Sequence, residues 1–204
     1  VETLLLARHA FAVSNLDGGV ASCTPPGEGL TPAGVEQARG LARLLAGEEV
    51  DLGVATRLRR TQETLELALA GRDVSQAVLP ELDEIGAGSF DGGPLADYRD
   101  WAWAEGPELP APGGGESRAG AAARYARGLR LLLARPERAV LAVGHALSIR
   151  YVLDAAAGLA PAARMVPVEH AVPHRLTAAD IDAAAGLLED WSKAPVFRDP
   201  SEGG

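Results

Sequence analysis

Thr3-Leu4-Leu5-Leu6-Ala7-Arg8-His9-Ala10 decides the fold. An apolar run this short, at the head of a chain, reads as a buried strand of a parallel sheet. In open α/β sheets, ligands bind at the carboxyl ends of the strands. Arg8 and His9 stand at that end, so a cation and an imidazole are placed at a crevice. A second strand of the same kind, Ala139 to Val143, ends in Gly144-His145-Ala146 and runs directly into a helix. Between them the chain alternates. A helix follows Thr31-Pro32, with Thr31 as N-cap and proline at the first helical position. A strand spans Asp51 to Thr56 and a helix Arg57 to about Ala70. A short strand is expected at Ala77 to Leu79, and helices at 95–104, 116–135, 147–157 and 179–191. An edge strand is expected over Val166 to Leu176. Alternating strands and helices predict a three-layer α/β/α fold with a mostly parallel central sheet.

The 204 residues carry 47% hydrophobic and 23% charged side chains. That implies a single domain over 1–204, with a lid or rim excursion at 93–115 and a disordered tail at 193–204. The net charge of −9 speaks against nucleic acid and anionic membrane as partners. The one cysteine, Cys23, precludes an internal disulfide and a cysteine-based zinc cluster, and reads as a small side chain without a catalytic role. No basic leader with a long apolar core is seen, and no run approaches about 20 apolar residues. The expectation is a cytoplasmic protein. A homodimer is allowed, and nothing in the sequence sets the oligomeric state.

The sheet topology brings the ends of the Arg8-His9, Thr56 and Gly144-His145 strands to one edge. Arg57, Arg59 and Arg60 stand near a helix amino terminus, where the dipole disfavours cations unless an anion joins them. One of them needs to turn inward; Arg57 and Arg59 read as a solvated face. The span Glu81 to Asp91 carries several acids in a glycine-rich loop. Neither a Gly-x-x-x-x-Gly-Lys-Ser/Thr loop nor Gly-x-Gly-x-x-Gly is present, and there is no Gly-x-Ser-x-Gly elbow. What remains is a cationic pocket for a tetrahedral dianion, with a histidine as nucleophile and a carboxyl group as proton donor. His170-x-x-x-His174 has metal-ligand spacing, but Pro173 intervenes and no third ligand is evident. These two read as exposed edge-strand histidines, and no metal or cofactor is expected.

With these residues in order, the chain resembles the histidine phosphatase superfamily, the phosphoglycerate-mutase-like proteins. Arg8-His9-Ala10 stands where that family has Arg-His-Gly, and Asn15 falls on the asparagine of its longer form. Leu30-Thr31-x-x-Gly34-x-x-Gln37-Ala38 matches its first helix. Thr56-x-Leu58-x-Arg60-x-x-x-Thr64 picks Arg60 among the arginines. Leu82-x-Glu84-Ile85-x-x-Gly88-x-Phe90-Asp91-Gly92 picks Glu84. Gly115-Glu116-Ser117 and Gly144-His145-Ala146 complete the series.

The resemblance implies a phosphoglycerate-mutase-like fold and a metal-independent phosphatase acting on a small phosphorylated metabolite. His9 would form a phosphohistidine. Arg8, Arg60 and His145 would hold the phosphoryl oxygens. Glu84 would act as general acid and base, which implies an acidic to near-neutral optimum. Asn15, Phe11, Ala146, Trp101 and Trp103 are the expected substrate contacts. Ala10, Phe11 and Ala12 depart from the family's Gly-Glu-Thr, and Ala146 from its glycine. A glycine at position 10 with positive φ would cost alanine about 1 kcal/mol. The alternatives are a cofactor-dependent phosphoglycerate-type mutase, against which the short excursion after Glu84 argues, and a non-catalytic phosphate-binding protein on the same fold.

Overall fold

The computed structural model describes residues 1–199; the last residues of the expected tail lie outside them. Strands β1 (Thr3–Arg8), β2 (Leu52–Ala55), β3 (Ser75–Val78), β4 (Ala139–Gly144) and β5 (Pro173–Thr177) form a sheet of order β3-β2-β4-β1-β5. All pairings are parallel except β1 with β5. Helices α1 (Pro32–Leu44) and α2 (Arg59–Ala68) cover one face. Helices α4 (Arg118–Leu133), α5 (Ala146–Ala156) and α6 (Ala178–Lys193) cover the other, and α3 (Leu95–Ala104) stands at the rim.

The alternation of side chains along the strands divides the core. Leu5 and Ala7 point to the α1–α2 side, where they meet Leu41, Leu45 and Leu65. Leu4 and Leu6 point to the other side and join Tyr125, Leu129, Tyr151, Ile181 and Leu188. β4 does the same, with Leu141 and Val143 on one face and Val140 and Ala142 on the other. A strand buried on both faces has no polar position to spare, which is why its sequence reads as an unbroken apolar run.

Most helix boundaries follow the capping residues. The Thr31 hydroxyl accepts from Gly34 N, Ser117 from Gly120 N and Thr177 from Asp180 N. α4 therefore begins at Arg118 rather than 116. α2 begins at Arg59, because Leu58 before it is extended, with φ −86° and ψ 129°; the Arg57 backbone N–H is held by Asp83 Oδ1 at 2.9 Å. β3 ends at Val78, one residue before the expected Leu79.

The expected edge strand over Val166 to Leu176 is a correction. Only Pro173–Thr177 pairs as a strand. Residues before it cross the end of β1, bridging it once at Arg8–His170. Two bonds draw this segment off the sheet line: Arg8 Nη1 donates to Val168 O at 2.8 Å, and Ala171 N to Arg8 O at 2.9 Å. Ala171 turns the chain back with φ of 56°, a conformation costing alanine about 1 kcal/mol.

Gly34 positions the loop after His9. A Cβ there would lie 2.0 Å from the Phe11 carbonyl oxygen, a backbone atom that itself accepts from Thr31 N at 3.0 Å. Gly34→Ala is expected to lower unfolding free energy by about 2–3 kcal/mol, as overpacking against backbone does. Urea unfolding of the two proteins checks this; an unchanged midpoint would mean the α1 contact is not tight.

Candidate active site

The site is assembled by strand register. Arg8 of β1 lies opposite Gly144 of β4, and His9 N donates to Gly144 O at 3.0 Å. His9 and His145 thus leave the sheet side by side, with ring centroids 5.4 Å apart. Thr56, just past the end of β2, reaches His145 Nε2 through its Oγ1 at 3.0 Å.

His9 is 3% exposed. Its Nδ1 lies 2.8 Å from Ala10 O, which can only accept, so the proton sits on Nδ1. The Nε2 lone pair is left free, with Arg60 Nε donating toward it at 3.3 Å. Burial, then the Arg60 and Arg8 charges, hold the imidazole pKa well below 6.5, so the ring is neutral.

His145 is fully buried. Thr61 Oγ1 donates to Leu58 O at 2.7 Å, and Thr56 Oγ1 lies 2.9 Å from Thr61 Oγ1. That leaves Thr56 Oγ1 to accept from His145 Nε2–H. The second ring nitrogen, Nδ1, then faces Arg60 Nη2 at 3.3 Å and Glu84 Oε2 at 3.8 Å. Burial, then the Arg60 charge, holds this pKa well below 6.5 too.

Of the three neighbouring arginines, Arg60 alone is buried, at 3% exposure. Besides the two histidines it holds Ser22 O at 2.7 Å and Ser22 Oγ at 3.3 Å, tying the loop before α1 to the site. Arg57 pairs with Asp83 and Arg59 with Glu63 outside the cavity, each at 2.6 Å. Arg8 is anchored on Val168 O, and burial pushes its pKa down to about 10. Glu84 is half-buried, with Oε1 accepting from Ile85 N at 3.1 Å.

Arg8, His9, Arg60 and Glu84 line a cavity of about 320 Å³, whereas His145 is buried beside Arg60 and does not reach the lining. The cavity walls come from the loop before α1, from α3 and from the chain near Val168. Asn15, Ala146 and Trp103 line it, with Arg164 stacked 4.8 Å above the Trp103 ring. Asn15 Oδ1 also accepts from Ala12 N at 2.9 Å.

Two expected contacts are elsewhere. The Phe11 ring packs edge-on against His170 outside the cavity lining, because its backbone is fixed by Gln37 and Thr31. Trp101 packs against Phe90 and Tyr98 in the wall behind. His170 corrects a third expectation. It is half-buried rather than an exposed edge-strand residue, with Nδ1 2.7 Å from His9 O. Its ring stands 5.3 Å from His9. His174 is half-buried on β5. No cluster of three metal-ligating side chains occurs among the described residues. Cys23 lines the cavity, and burial pushes its thiol up to about 12, which removes it as a nucleophile. Ala10 has no positive φ, so the alanine carries no backbone penalty. Among the described residues, no helix is long and apolar enough to cross a membrane.

Sequence reasoning missed Tyr98, Arg99 and Arg118, which also line the cavity. Arg118 carried a signal: it follows Gly115-Glu116-Ser117 and is a cation at the first turn of a helix.

A family model described as histidine phosphatase superfamily (branch 1) matches residues 4–193. The adenosylcobalamin/alpha-ribazole phosphatase of Escherichia coli (strain K12) is 36% identical over 88 residues, 43% of this chain and 42% of that protein. The protein of the same name from Salmonella typhimurium is 36% identical over 88 residues, 43% of each chain. The matched stretch thus spans about two fifths of these relatives. Among solved structures, the alpha-ribazole phosphatase of Shigella flexneri is similar, with a TM-score of 0.72 and 25% identity, covering 85% of this chain and 89% of that one. A mycobacterial glucosyl-3-phosphoglycerate phosphatase complexed with VO3 gives 0.71 and 25%, covering 87% and 91%.

Two buried neutral histidines make the fold acid-sensitive. Unfolded, each takes up a proton below 6.5, whereas folded it does not. Their contribution is intact above 6.5 and is lost as pH falls, at about 1.4 kcal/mol per pH unit per histidine. Unfolding free energies between pH 7.5 and 5.5 are expected to fall, with a shallower slope in His145→Gln. Equal slopes in the two proteins would contradict the assignment.

Proposed function

The chain belongs to the histidine phosphatase superfamily, and we propose that within it this protein is a phosphatase of small phosphomonoesters that works through a phosphohistidine on His9. The observation that carries this reading is the His9 tautomer. With Nδ1–H spent on Ala10 O, the neutral Nε2 lone pair is the one left for phosphorus, at a cavity whose lining includes Arg8 and Arg60.

A phosphoryl group entering the cavity replaces His9 as the partner of Arg60 and meets Arg8 as well. The two guanidiniums draw charge from its oxygens. That is the work a metal ion does in other phosphoryl-transfer sites, so none is required here. His9 Nε2 forms a bond to phosphorus while the ester P–O bond breaks, and Glu84 gives its proton to the leaving oxygen. Water then attacks phosphorus, Glu84 takes back a proton, and the P–N bond breaks to release inorganic phosphate and neutral His9. His145, fully buried beside Arg60 and outside the cavity lining, contributes through Nδ1, which accepts from Arg60 Nη2 at 3.3 Å and so positions the guanidinium that meets the phosphoryl group. The named relatives are phosphatases, which favours hydrolysis over mutase chemistry.

The test is p-nitrophenyl phosphate hydrolysis with EDTA present. Wild type is expected to turn over, His9→Ala to show no rate above the buffer blank, and Glu84→Gln to lose about 10²–10⁴-fold in kcat. Because the His9 pKa lies well below 6.5, kcat/KM at pH 5.5 should be no lower than at pH 7. Turnover retained by His9→Ala, or abolished by the chelator, would overturn the mechanism.

A further inference from the structure

The cavity holds more positive charge than one phosphoryl group uses. Four arginines line it, Arg8, Arg60, Arg99 and Arg118, and Glu84 is the only acid in the lining. Among the described residues, none of the four forms an ion pair with a carboxylate, although the arginines outside the cavity commonly do. A chain with net charge −9 has acids to spare, so the imbalance is local to this cavity.

Arg118 is the least expected of the four. It is 7% exposed, and its Nη1 donates to the Tyr151 hydroxyl at 3.2 Å. Its Nε is buried without any hydrogen-bond partner. It occupies the first position of α4, where the helix dipole is positive and a cation is disfavoured. Beside it stands Tyr98, also 7% exposed, on α3. The Tyr98 hydroxyl is buried, with the Arg118 guanidinium beside it but no partner at full hydrogen-bond geometry. Burial pushes that phenol up to about 12, so it keeps its proton and can donate. A buried guanidinium whose Nε is unpartnered and which has only neutral acceptors is costly, and most buried polar groups in native proteins are satisfied. Arg118 and Tyr98 line one cavity on two different elements, and among the described residues neither pairs with a carboxylate.

We propose that Tyr98 and Arg118 form a second anion subsite, and that the physiological substrate carries a carboxylate or a second phosphoryl group besides the ester phosphate that His9 attacks. This deepens the phosphatase reading and rests on it. The subsite acts on affinity and placement. A second anion seated on Arg118 fixes the substrate body, so the ester phosphate meets His9 with fewer orientations to lose. Arg99, exposed at the mouth of the cavity, adds charge to the approach. The apolar wall between, with Leu95, Leu147, Met165 and Val168, takes the carbon body.

Matched probes test this. Phosphoglycolate is compared with 2-hydroxyethyl phosphate, and 4-carboxyphenyl phosphate with 4-(hydroxymethyl)phenyl phosphate. A bisphosphate, 1,3-propanediol bisphosphate, is compared with 3-hydroxypropyl phosphate. In wild type the anionic member of at least one pair should have the higher kcat/KM, and the pair identifies the kind and reach of the second group. Arg118→Gln should lower that anionic-to-neutral ratio by about tenfold or more, the scale of a hydrogen bond to a charge left unmade. Tyr98→Phe, which removes only the hydroxyl, should lower it by a smaller factor in the same direction.

Binding to His9→Ala, read as the rise in Tm with each probe, is the measurement that does not need turnover. The anionic member should raise Tm more than its neutral partner, and Arg118→Gln on that background should erase the difference. Ratios unchanged by both variants, or neutral probes favoured in every pair, would overturn the subsite even where p-nitrophenyl phosphate is hydrolysed. Loss of all turnover with the Tm difference retained would instead overturn the phosphatase reading and leave the subsite standing.

Discussion

Everything at the site depends on the in-register parallel pairing of β1 with β4. Because side chains alternate, a slip of one residue along that pair would turn every core side chain to the wrong face. The register is therefore enforced by two full hydrophobic layers rather than by any bond at the site. Its consequence is that two histidines leave the sheet at the same level, and His9 N can close the last rung on Gly144 O. The strand ends do not merely deliver the residues to a crevice. They set the 5.4 Å spacing that lets a single guanidinium, that of Arg60, address both rings.

Arg60 in turn carries the cost of the arrangement. Burying a guanidinium with no carboxylate is unfavourable, and the neighbouring Arg8 adds to it. The protein meets the demand with neutral acceptors: two imidazole nitrogens, the Ser22 carbonyl and the Ser22 hydroxyl. Each of these is weaker than an anion. On the proposed reading a phosphoryl dianion would displace them at small cost, while burial and the same positive field keep both histidines deprotonated. Charge stabilisation and preparation of the proposed nucleophile would then share one electrostatic origin.

Much of this was legible in the sequence, for identifiable reasons. The apolar runs before Arg8 and Gly144 have one reading when both sheet faces are covered. The caps Thr31, Ser117 and Thr177 mark helix starts through a local bond that depends on nothing distant. His9, Arg60 and Glu84 meet at one cavity, with His145 buried beside Arg60, because they sit at element ends, where topology alone dictates position. His170 was misread because its role comes from backbone that leaves the sheet, drawn away by Arg8 and Ala171, and no local pattern encodes that departure. Phe11 and Trp101 were misread for the opposite reason. Large apolar residues near a site bury themselves wherever a neighbour is free, and here His170 and Phe90 were.

The residues Ala10, Phe11 and Ala12 show how the loop beside His9 is held independently of its own side chains. Its backbone is held from outside: Thr64 takes Ala10 N at 3.0 Å, Gln37 takes Phe11 N at 2.8 Å and Asn15 takes Ala12 N at 2.9 Å. None of these bonds uses the side chain at position 10, 11 or 12. The carbonyl of Ala10, which fixes the His9 tautomer, is thus placed by α1, α2 and the following turn. The chemistry is insulated from the identity of these residues, and variation there is free to reshape the surroundings. The walls of α3 and the start of α4 are not insulated in this way, because their side chains face the cavity directly. On the proposed phosphatase reading, selectivity is therefore set by those walls and reactivity by the sheet edge.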